Sequence, residues 1–240
     1  SLGAGIGAVL GFGAASNEMS IQANFFTGAI FLTPVLVLIL CSKWQSERKK
    51  VGTFVKQFVI PKKSLFGLGV IAFCSSLGEG GVADWSALYL VIVTQVSEAD
   101  AALGFGAFSL SMVVFRLMGD NIIVRLGKEA TGRISAIIAF VGSALVIFSG
   151  YYVIIILGLI FMGAGYAVLI PVCFSRAAED LSITPGAAIA SVSTFGYSGF
   201  LLGPPILGLI ADNTSISAVF IILMLLTSII FAMSNQLRTP

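Results

Sequence analysis

Two acidic residues lie inside one long apolar stretch of the sequence, and they are the first candidates for chemistry. Glu79 and Asp84 fall within a run that extends to about residue 93, and three glycines surround the first acid. A charged residue at the bilayer centre costs about 2.5–3.5 kcal/mol on insertion scales, so it usually faces the protein interior and is functional. Glu79 is therefore the candidate group for carrying a proton or for hydrogen bonding a solute.

The spacing of the two acids predicts different roles for them. At 1.5 Å per residue, Glu79 lies roughly 24 Å above Lys63 and Asp84 roughly 31 Å. Glu79 is then expected in the outer half of the membrane, at a glycine-induced break, and Asp84 near the outer boundary. Five positions on a helix differ by about 140°, so the acids do not share one proton. Trp85 and Tyr89 fit either an interfacial aromatic belt or a sugar-stacking wall.

The composition predicts a polytopic membrane protein. Of 240 residues, 58% are hydrophobic and 10% are charged, whereas a soluble domain carries roughly 25% charged residues. The chain has no histidine, and its three cysteines are far apart. We therefore expect no enzymatic activity, no metal site and no cofactor. No P-loop is present, so ATP does not drive the protein directly.

The apolar stretches predict an all-α fold, because a helix needs roughly 20 apolar residues to cross a bilayer. Eight stretches qualify: about 1–16, 21–41, 64–93, 100–118, 133–150, 152–174, 185–211 and 216–235. The first is short and begins at Ser1 within an apolar pattern. We therefore expect the sequence to be a piece of a longer protein.

The basic residues predict the orientation of these helices. All 13 fall on one side of the eight-span arrangement. They are Lys43, Arg48, Lys49, Lys50, Lys56, Lys62, Lys63, Arg116, Arg125, Lys128, Arg133, Arg176 and Arg238. Since Lys and Arg mark the cytoplasmic side, the segment 42–63 and the C-terminus are predicted to be cytoplasmic. The protein is expected to be multi-pass in a plasma membrane.

Small residues and prolines mark two of the helices for close packing or bending. Glycines recur every fourth residue in the first and seventh stretches: Gly3, Gly7 and Gly11, then Gly199 and Gly203. Such faces let helices approach closely in lipid. Pro204 and Pro205 remove two backbone donors from the seventh stretch, which predicts either a functional bend or a plain kink.

The loop 115–128 carries a recognisable pattern on the basic side. Arg116 and Asp120 are four apart, so on one helix they would meet on one face. Gly119 and Asp120, a short spacer, and then Arg125 and Gly127 resemble the loop signature of the major facilitator superfamily. That resemblance implies a loop between the second and third helices of one six-helix half. It also implies that Arg116, Asp120 and Arg125 latch the cytoplasmic side.

The resemblance covers essentially the whole chain and implies its domain organisation. The eight spans look like helices five to twelve of a twelve-helix transporter. Residues 1–41 would be the last two helices of the N-terminal half, 42–63 the central loop and 64–240 the C-terminal half. The segment 79–90 resembles the seventh helix of a fucose-permease-like and YbjJ-like branch of bacterial inner-membrane proteins, and 199–212 is similar to the eleventh helix.

The implied function is secondary transport of a small solute, sugar-like or an organic acid, by alternating access. The expected partners are the lipid bilayer, the solute and, as a candidate coupling ion, the proton; no nucleic acid is expected. Two alternatives stay open. One is a receptor or scaffold built on the same helices. The other is a multidrug-type efflux antiporter, which the absence of a Gly-Pro pair in the first span disfavours.

Overall fold

The computed structural model describes residues 63–238 and a few isolated positions between 7 and 37. Within these residues the fold is helical and contains no strand. In this part of the chain, six helical spans are long and apolar enough to cross a membrane. The predicted all-α polytopic fold is therefore confirmed, together with the last six of the eight predicted spans. The spans 1–16 and 21–41 and the loop 42–63 lie outside the described residues, apart from those isolated positions.

The helices follow one another with short connections. In chain order they are α1 Lys63–Thr94, α2 Glu98–Leu117, α3 Gly119–Leu126, α4 Lys128–Phe148, α5 Tyr152–Ala167, α6 Leu169–Ala177, α7 Pro185–Asn213 and α8 Ile216–Met233. A single 3-10 turn, Ser234–Leu237, follows α8. α5 and α6 together make one interrupted span, Tyr152–Ala177, and α3 is a short helix between two spans.

Local capping explains where several of these helices begin. Ser97 caps α2, because its hydroxyl accepts a hydrogen bond from the Asp100 amide at 3.1 Å. Ser215 caps α8 in the same way through the Ala218 amide at 3.3 Å. Pro185 occupies the first turn of α7, where its missing N–H is not needed. The sequence therefore sets these three helix starts by ordinary helix-start chemistry.

α1 is the most buried of the six spans and contacts most of the others. α7 crosses it so closely that a Cβ atom at Gly199 would lie 2.6 Å from the carbonyl oxygen of Phe73. On α8, the Phe220 ring lies with its centroid 4.5 Å from that of Tyr89. A side chain on α1 is thus buried in protein unless it lies on the narrow stripe that these neighbours leave free.

Ion pairs and hydrogen bonds join the helix ends on the side that the sequence predicts to be cytoplasmic. Lys128 at the start of α4 pairs with Glu179 in the connection after α6. Arg133 pairs with Glu129 at 2.8 Å, and its Nε donates to the Ser234 hydroxyl at 3.0 Å. These contacts link α4 to the α6–α7 connection and to the end of α8.

Gly127 provides the sharp turn between α3 and α4, with φ 77° and ψ 161°. L-amino acids rarely adopt this conformation, which costs about 1–3 kcal/mol when the structure imposes it. We therefore expect Gly127→Ala to lower the free energy of unfolding by about that amount. Thermal unfolding of the full-length protein in detergent measures the change.

The matched control for this variant is Gly150→Ala. A Cβ atom at Gly150 has no heavy atom within 4 Å, and Gly150 does not have a positive φ. Equal unfolding temperatures for the two variants would contradict the assignment of Gly127 as the constrained position.

Candidate functional site

The centre of the candidate site is an ion pair between two membrane-spanning helices. Glu79 lies near the midpoint of α1, and Arg116 lies in the last turn of α2. The Arg116 Nη2 atom donates to the Glu79 Oε2 atom at 2.9 Å. The Glu79 side chain is 18% exposed and that of Arg116 is 29% exposed. The pair is therefore partly enclosed by the described helices and partly exposed at their surface.

A second bond fixes the Arg116 side chain, and a proline explains it. The Arg116 Nε atom donates to the carbonyl oxygen of Ala167 at 3.1 Å. In an unbroken α-helix, that oxygen would accept from the amide four residues later. The residue there is Pro171, which has no N–H. The span accordingly breaks between α5 and α6, and Arg116 supplies the missing donor to a carbonyl at the membrane interior.

The three glycines around Glu79 pack α1 against its neighbours, and α1 is continuous through them. A Cβ atom at Gly78 would overlap the ring and hydroxyl of Tyr166 in α5. At Gly80 a Cβ atom would lie 3.1 Å from Phe200 in α7, and at Gly81 it would meet Leu207 and Leu223 at 2.8 and 2.9 Å. The expectation of a helix break at these glycines is thus wrong, because close contacts replace the side chains that glycine lacks.

Tyr166 adds a polar group next to the pair. It is fully buried, and it precedes Ala167, the residue whose carbonyl binds Arg116. Its hydroxyl has no hydrogen-bond partner among the described residues. Most buried polar atoms are hydrogen bonded, so this hydroxyl is an additional donor and acceptor in the interior of the site.

The contact with Arg116 bears on the expected depth of Glu79. The sequence predicted the outer half of the membrane, but Glu79 bonds to the last turn of α2, which ends on the predicted cytoplasmic side. The 32 residues of α1 make a helix of about 48 Å, longer than the roughly 30 Å of a bilayer core. Counting upward from Lys63 gives the depth only if α1 enters the bilayer at Lys63, so the depth of Glu79 stays a prediction.

The predicted pairing of Arg116 with Asp120 is wrong. The two residues belong to different helices, because α2 ends at Leu117 and α3 begins at Gly119. Arg116 instead binds Glu79 and the Ala167 carbonyl, within the span, where the lower dielectric strengthens an ion pair.

The other residues of the loop pattern lie on α3. Asp120 and Arg125 are exposed at its two ends, and neither forms an ion pair with any other described residue. Gly119 is buried, and a Cβ atom there would lie 3.2 Å from Val168. Gly127 makes the turn into α4. The latch that the resemblance implies stays a prediction for these residues.

Tyr89 belongs to the core rather than to a belt or a sugar-stacking wall. It is 1% exposed, and its hydroxyl donates to the carbonyl oxygen of Val146 at 2.8 Å. Its ring packs on Phe220. The sequence-based role for Tyr89 is therefore wrong, since α4 and α8 cover the face of α1 on which it lies.

Trp85 and Asp84 lie closer to the outer end of α1. Trp85 is partly buried and lines a cavity of about 600 Å³ between α1 and the ends of α7 and α8, together with Asp212. Asp84 is exposed, on a different side of the helix from Glu79. The structure thus brings neither residue into contact with the Glu79–Arg116 pair. The outer-boundary position of Asp84, the belt or sugar-stacking role of Trp85, and any part of either residue in substrate or proton coupling stay predictions.

The packing residues of the seventh predicted span divide between two faces. Gly199 and Gly203 face α1, where a Cβ atom would lie 2.6 Å from the Phe73 carbonyl oxygen and 3.6 Å from Leu77, respectively. Pro204 and Pro205 are exposed, and α7 continues through both of them. In the first span, Gly7 is helical and exposed. Gly3 and Gly11 lie outside the described residues.

Sequence reasoning missed the contribution of α5. The signal was present, since a proline in a long apolar span leaves the carbonyl four residues earlier without a donor. Counting back from Pro171 identifies Ala167, and an arginine in another span is a suitable donor. Which arginine supplies the bond depends on helix packing, so the sequence could indicate the acceptor but not its partner.

The fold and the site define a polytopic helical membrane protein with an ion pair inside the bundle. A family model described as the Major Facilitator Superfamily matches residues 68–235. The chain belongs to this superfamily, whose members are transporters rather than enzymes. The predicted family is confirmed at this level, while its assignment to a particular branch stays a prediction.

Three curated relatives are similar to this chain. It is 36% identical over 238 residues to the uncharacterized transporter y4wD of Sinorhizobium fredii, covering 99% of this chain and 63% of that protein. It is 30% identical over 227 residues to an uncharacterized MFS-type transporter of Yersinia pestis, covering 92% and 59%. It is 36% identical over 148 residues to membrane protein MosC of Rhizobium meliloti, covering 62% and 36%. The chain spans less than two thirds of the length of these relatives.

A double-mutant cycle tests the pairing of Arg116. We expect Glu79→Gln and Arg116→Gln to show an interaction free energy of about 0.5–3 kcal/mol, as contacting residues of one polar network do. The free energy of unfolding of the full-length protein in mixed micelles measures it.

The matched control cycle combines Asp120→Asn with Arg116→Gln. We expect the two changes to add, because the structure shows no contact between these side chains. Strong coupling in the control cycle and none in the first cycle would restore the pairing predicted from the sequence.

Proposed function

We propose that the full-length transporter containing this chain moves a small solute across a bacterial plasma membrane by secondary active transport with alternating access. Membership of the superfamily supports transport as such. The bacterial sources of the three relatives support the membrane. The observation that carries the coupling hypothesis is the Glu79–Arg116 ion pair inside the bundle.

Proton binding at Glu79 would act on three helices at once. The ionised carboxylate holds Arg116 of α2, and Arg116 also holds the Ala167 carbonyl of α5. A protonated carboxyl group loses the charge that attracts the guanidinium, so the link between α1 and α2 weakens. A proton then shifts the equilibrium between arrangements of these helices, which is what coupling requires.

The cytoplasmic contacts are suited to open and close during such a cycle. Arg133 with Glu129 is an exposed pair at a helix end, where such a pair contributes only about 0–1 kcal/mol. Lys128 with Glu179 also lies at a helix end, and its Glu179 side chain is 43% exposed. Asp120 and Arg125 of α3 lie on the same side of the bundle. We propose that these groups together form the latch, with the segment 42–63 and the C-terminus in the cytoplasm.

Glu79→Gln tests proton coupling. We expect it to retain solute exchange while uptake loses its dependence on a pH gradient, because glutamine cannot exchange a proton at this position. Uptake into proteoliposomes of the full-length protein, with and without a pH gradient, measures the effect.

The control variant for this experiment is Glu98→Gln. Glu98 is exposed in the first turn of α2 and forms no ion pair with another described residue. We expect this variant to keep the pH dependence. Transport by Glu79→Gln with unchanged pH dependence would disprove coupling through Glu79. Absence of flux for every solute tested would favour a receptor or scaffold instead.

Cysteine labelling tests the orientation. We expect a membrane-impermeant maleimide to label Ser46→Cys only in inverted vesicles and Gly150→Cys only in right-side-out vesicles. The background for both is a protein in which the native cysteines are replaced. The reverse pattern would contradict a cytoplasmic segment 42–63.

A further inference from the structure

We propose that the transported solute carries a carboxylate and that Arg116 binds this carboxylate when Glu79 is protonated. The inference rests on the proposed transport function and names the class of its substrate. It follows from the hydrogen bonds of Arg116, from the charges around it and from the cost of an unpaired charge in the membrane.

The Arg116 guanidinium has donors left for a ligand. A guanidinium carries five N–H donors in a fixed fork. The structure assigns one on Nε to the Ala167 carbonyl and one on Nη2 to Glu79. The other three have no partner among the described residues, and the side chain is partly exposed. The bonds to Ala167 and Glu79 hold the guanidinium in place, and the remaining donors of its planar fork suit a bidentate contact with a planar anion.

Among the described residues, Arg116 is the basic side chain that lies next to Glu79. Of the elements packed against α1, α2 contributes Arg116 and α5 contributes the neutral Tyr166 beside Gly78. α8 contains no charged residue, and the only one in α7, Asp212, lies at its outer end. On α6, Arg176 binds the carbonyl oxygen of Arg238. Within the described part of the chain, no second basic side chain forms an ion pair with Glu79.

Two carboxylates therefore compete for one guanidinium. With Glu79 ionised, the pair is neutral, and an anionic solute would add an uncompensated charge. With Glu79 protonated, the guanidinium is left unpaired in the membrane interior, which is costly. A carboxylate on the solute removes that cost by replacing Glu79 at Arg116. The site is then most stable with proton and anion bound together, so a monocarboxylate moves with one proton without net charge.

A neutral sugar would not meet this requirement. Its hydroxyl groups can accept hydrogen bonds from Arg116, but they cannot neutralise the guanidinium once Glu79 is protonated. The ion pair thus favours the organic acid over the neutral sugar among the substrate classes that the sequence allows.

Paired solutes test the substrate class. The probes are sugar acids and short hydroxy acids, each compared with the neutral alcohol or amide of the same carbon skeleton. Proteoliposomes of the full-length protein contain a pH-sensitive dye, and protein-free liposomes correct for passive entry. We expect inward gradients of one or more carboxylates to acidify the lumen, and the neutral counterparts to have no effect.

Failure of the inference is distinct from failure of the proposed function. If the protein took up neutral compounds but none of the carboxylates, the proposed substrate class would be wrong and the proposed transport function would stand. Absence of uptake for every probe would overturn both. Acidification driven by carboxylates and neutral compounds alike would also overturn the competition between the solute and Glu79.

Two variants tie the effect to the residues. We expect Arg116→Lys to raise the half-saturating carboxylate concentration by about tenfold or more, because a lysine offers no planar fork. Arg238→Lys, on the exposed tail, is the control and should leave it unchanged. Glu79→Gln should exchange labelled carboxylate for unlabelled carboxylate without moving protons. That exchange assay decides the outcome even if Arg116→Lys does not fold, and its loss in Glu79→Gln would contradict the inference.

Discussion

The candidate site depends on one backbone hydrogen bond that the chain cannot make within its own helix. Pro171 has no N–H, so the carbonyl of Ala167 has no donor inside the span. In a membrane such an oxygen must find a partner in protein or in a wet cavity. Arg116 from α2 provides it at 3.1 Å and thereby acquires a fixed position. The same guanidinium then binds Glu79. The missing hydrogen bond between α5 and α6 thus positions the ion pair between α1 and α2.

The approach of the helices depends equally on residues that have no side chain. Gly78, Gly80 and Gly81 let α5, α7 and α8 contact α1 around Glu79. Glycine in a helix interior costs about 1 kcal/mol relative to alanine, so three glycines within four positions weaken α1 as an isolated helix. The close contacts with Tyr166, Phe200 and Leu223 offset that cost in the bundle. The result is closely packed protein around a group that is proposed to change its protonation state.

The charges fall into two classes that differ in strength. Glu79 and Arg116 meet within the spans, where protein partly encloses them and breaking a pair is costly. Arg133 with Glu129 meets at a helix end, where screening weakens the pair, and Lys128 with Glu179 is screened through the exposed Glu179 side chain. In the proposed cycle, the interior pair responds to proton and solute while the weaker contacts at the helix ends rearrange. The interior pair can influence the contacts at the helix ends because α2, which carries Arg116, is followed directly by α3 and α4.

The sequence by itself determined the class of the protein. Hydropathy and length identify six described spans, because the bilayer imposes an apolar stretch of fixed length on each. The pattern from Gly119 to Gly127 indicated the superfamily. The position of an acid among glycines in an apolar stretch indicated that Glu79 is a functional candidate. Only the tertiary structure decided the partners of these residues. Arg116 binds Glu79 instead of Asp120 and Tyr89 is buried, because both facts depend on which helices lie side by side. Periodicity along a chain gives the face of a residue, but not the neighbour that covers it.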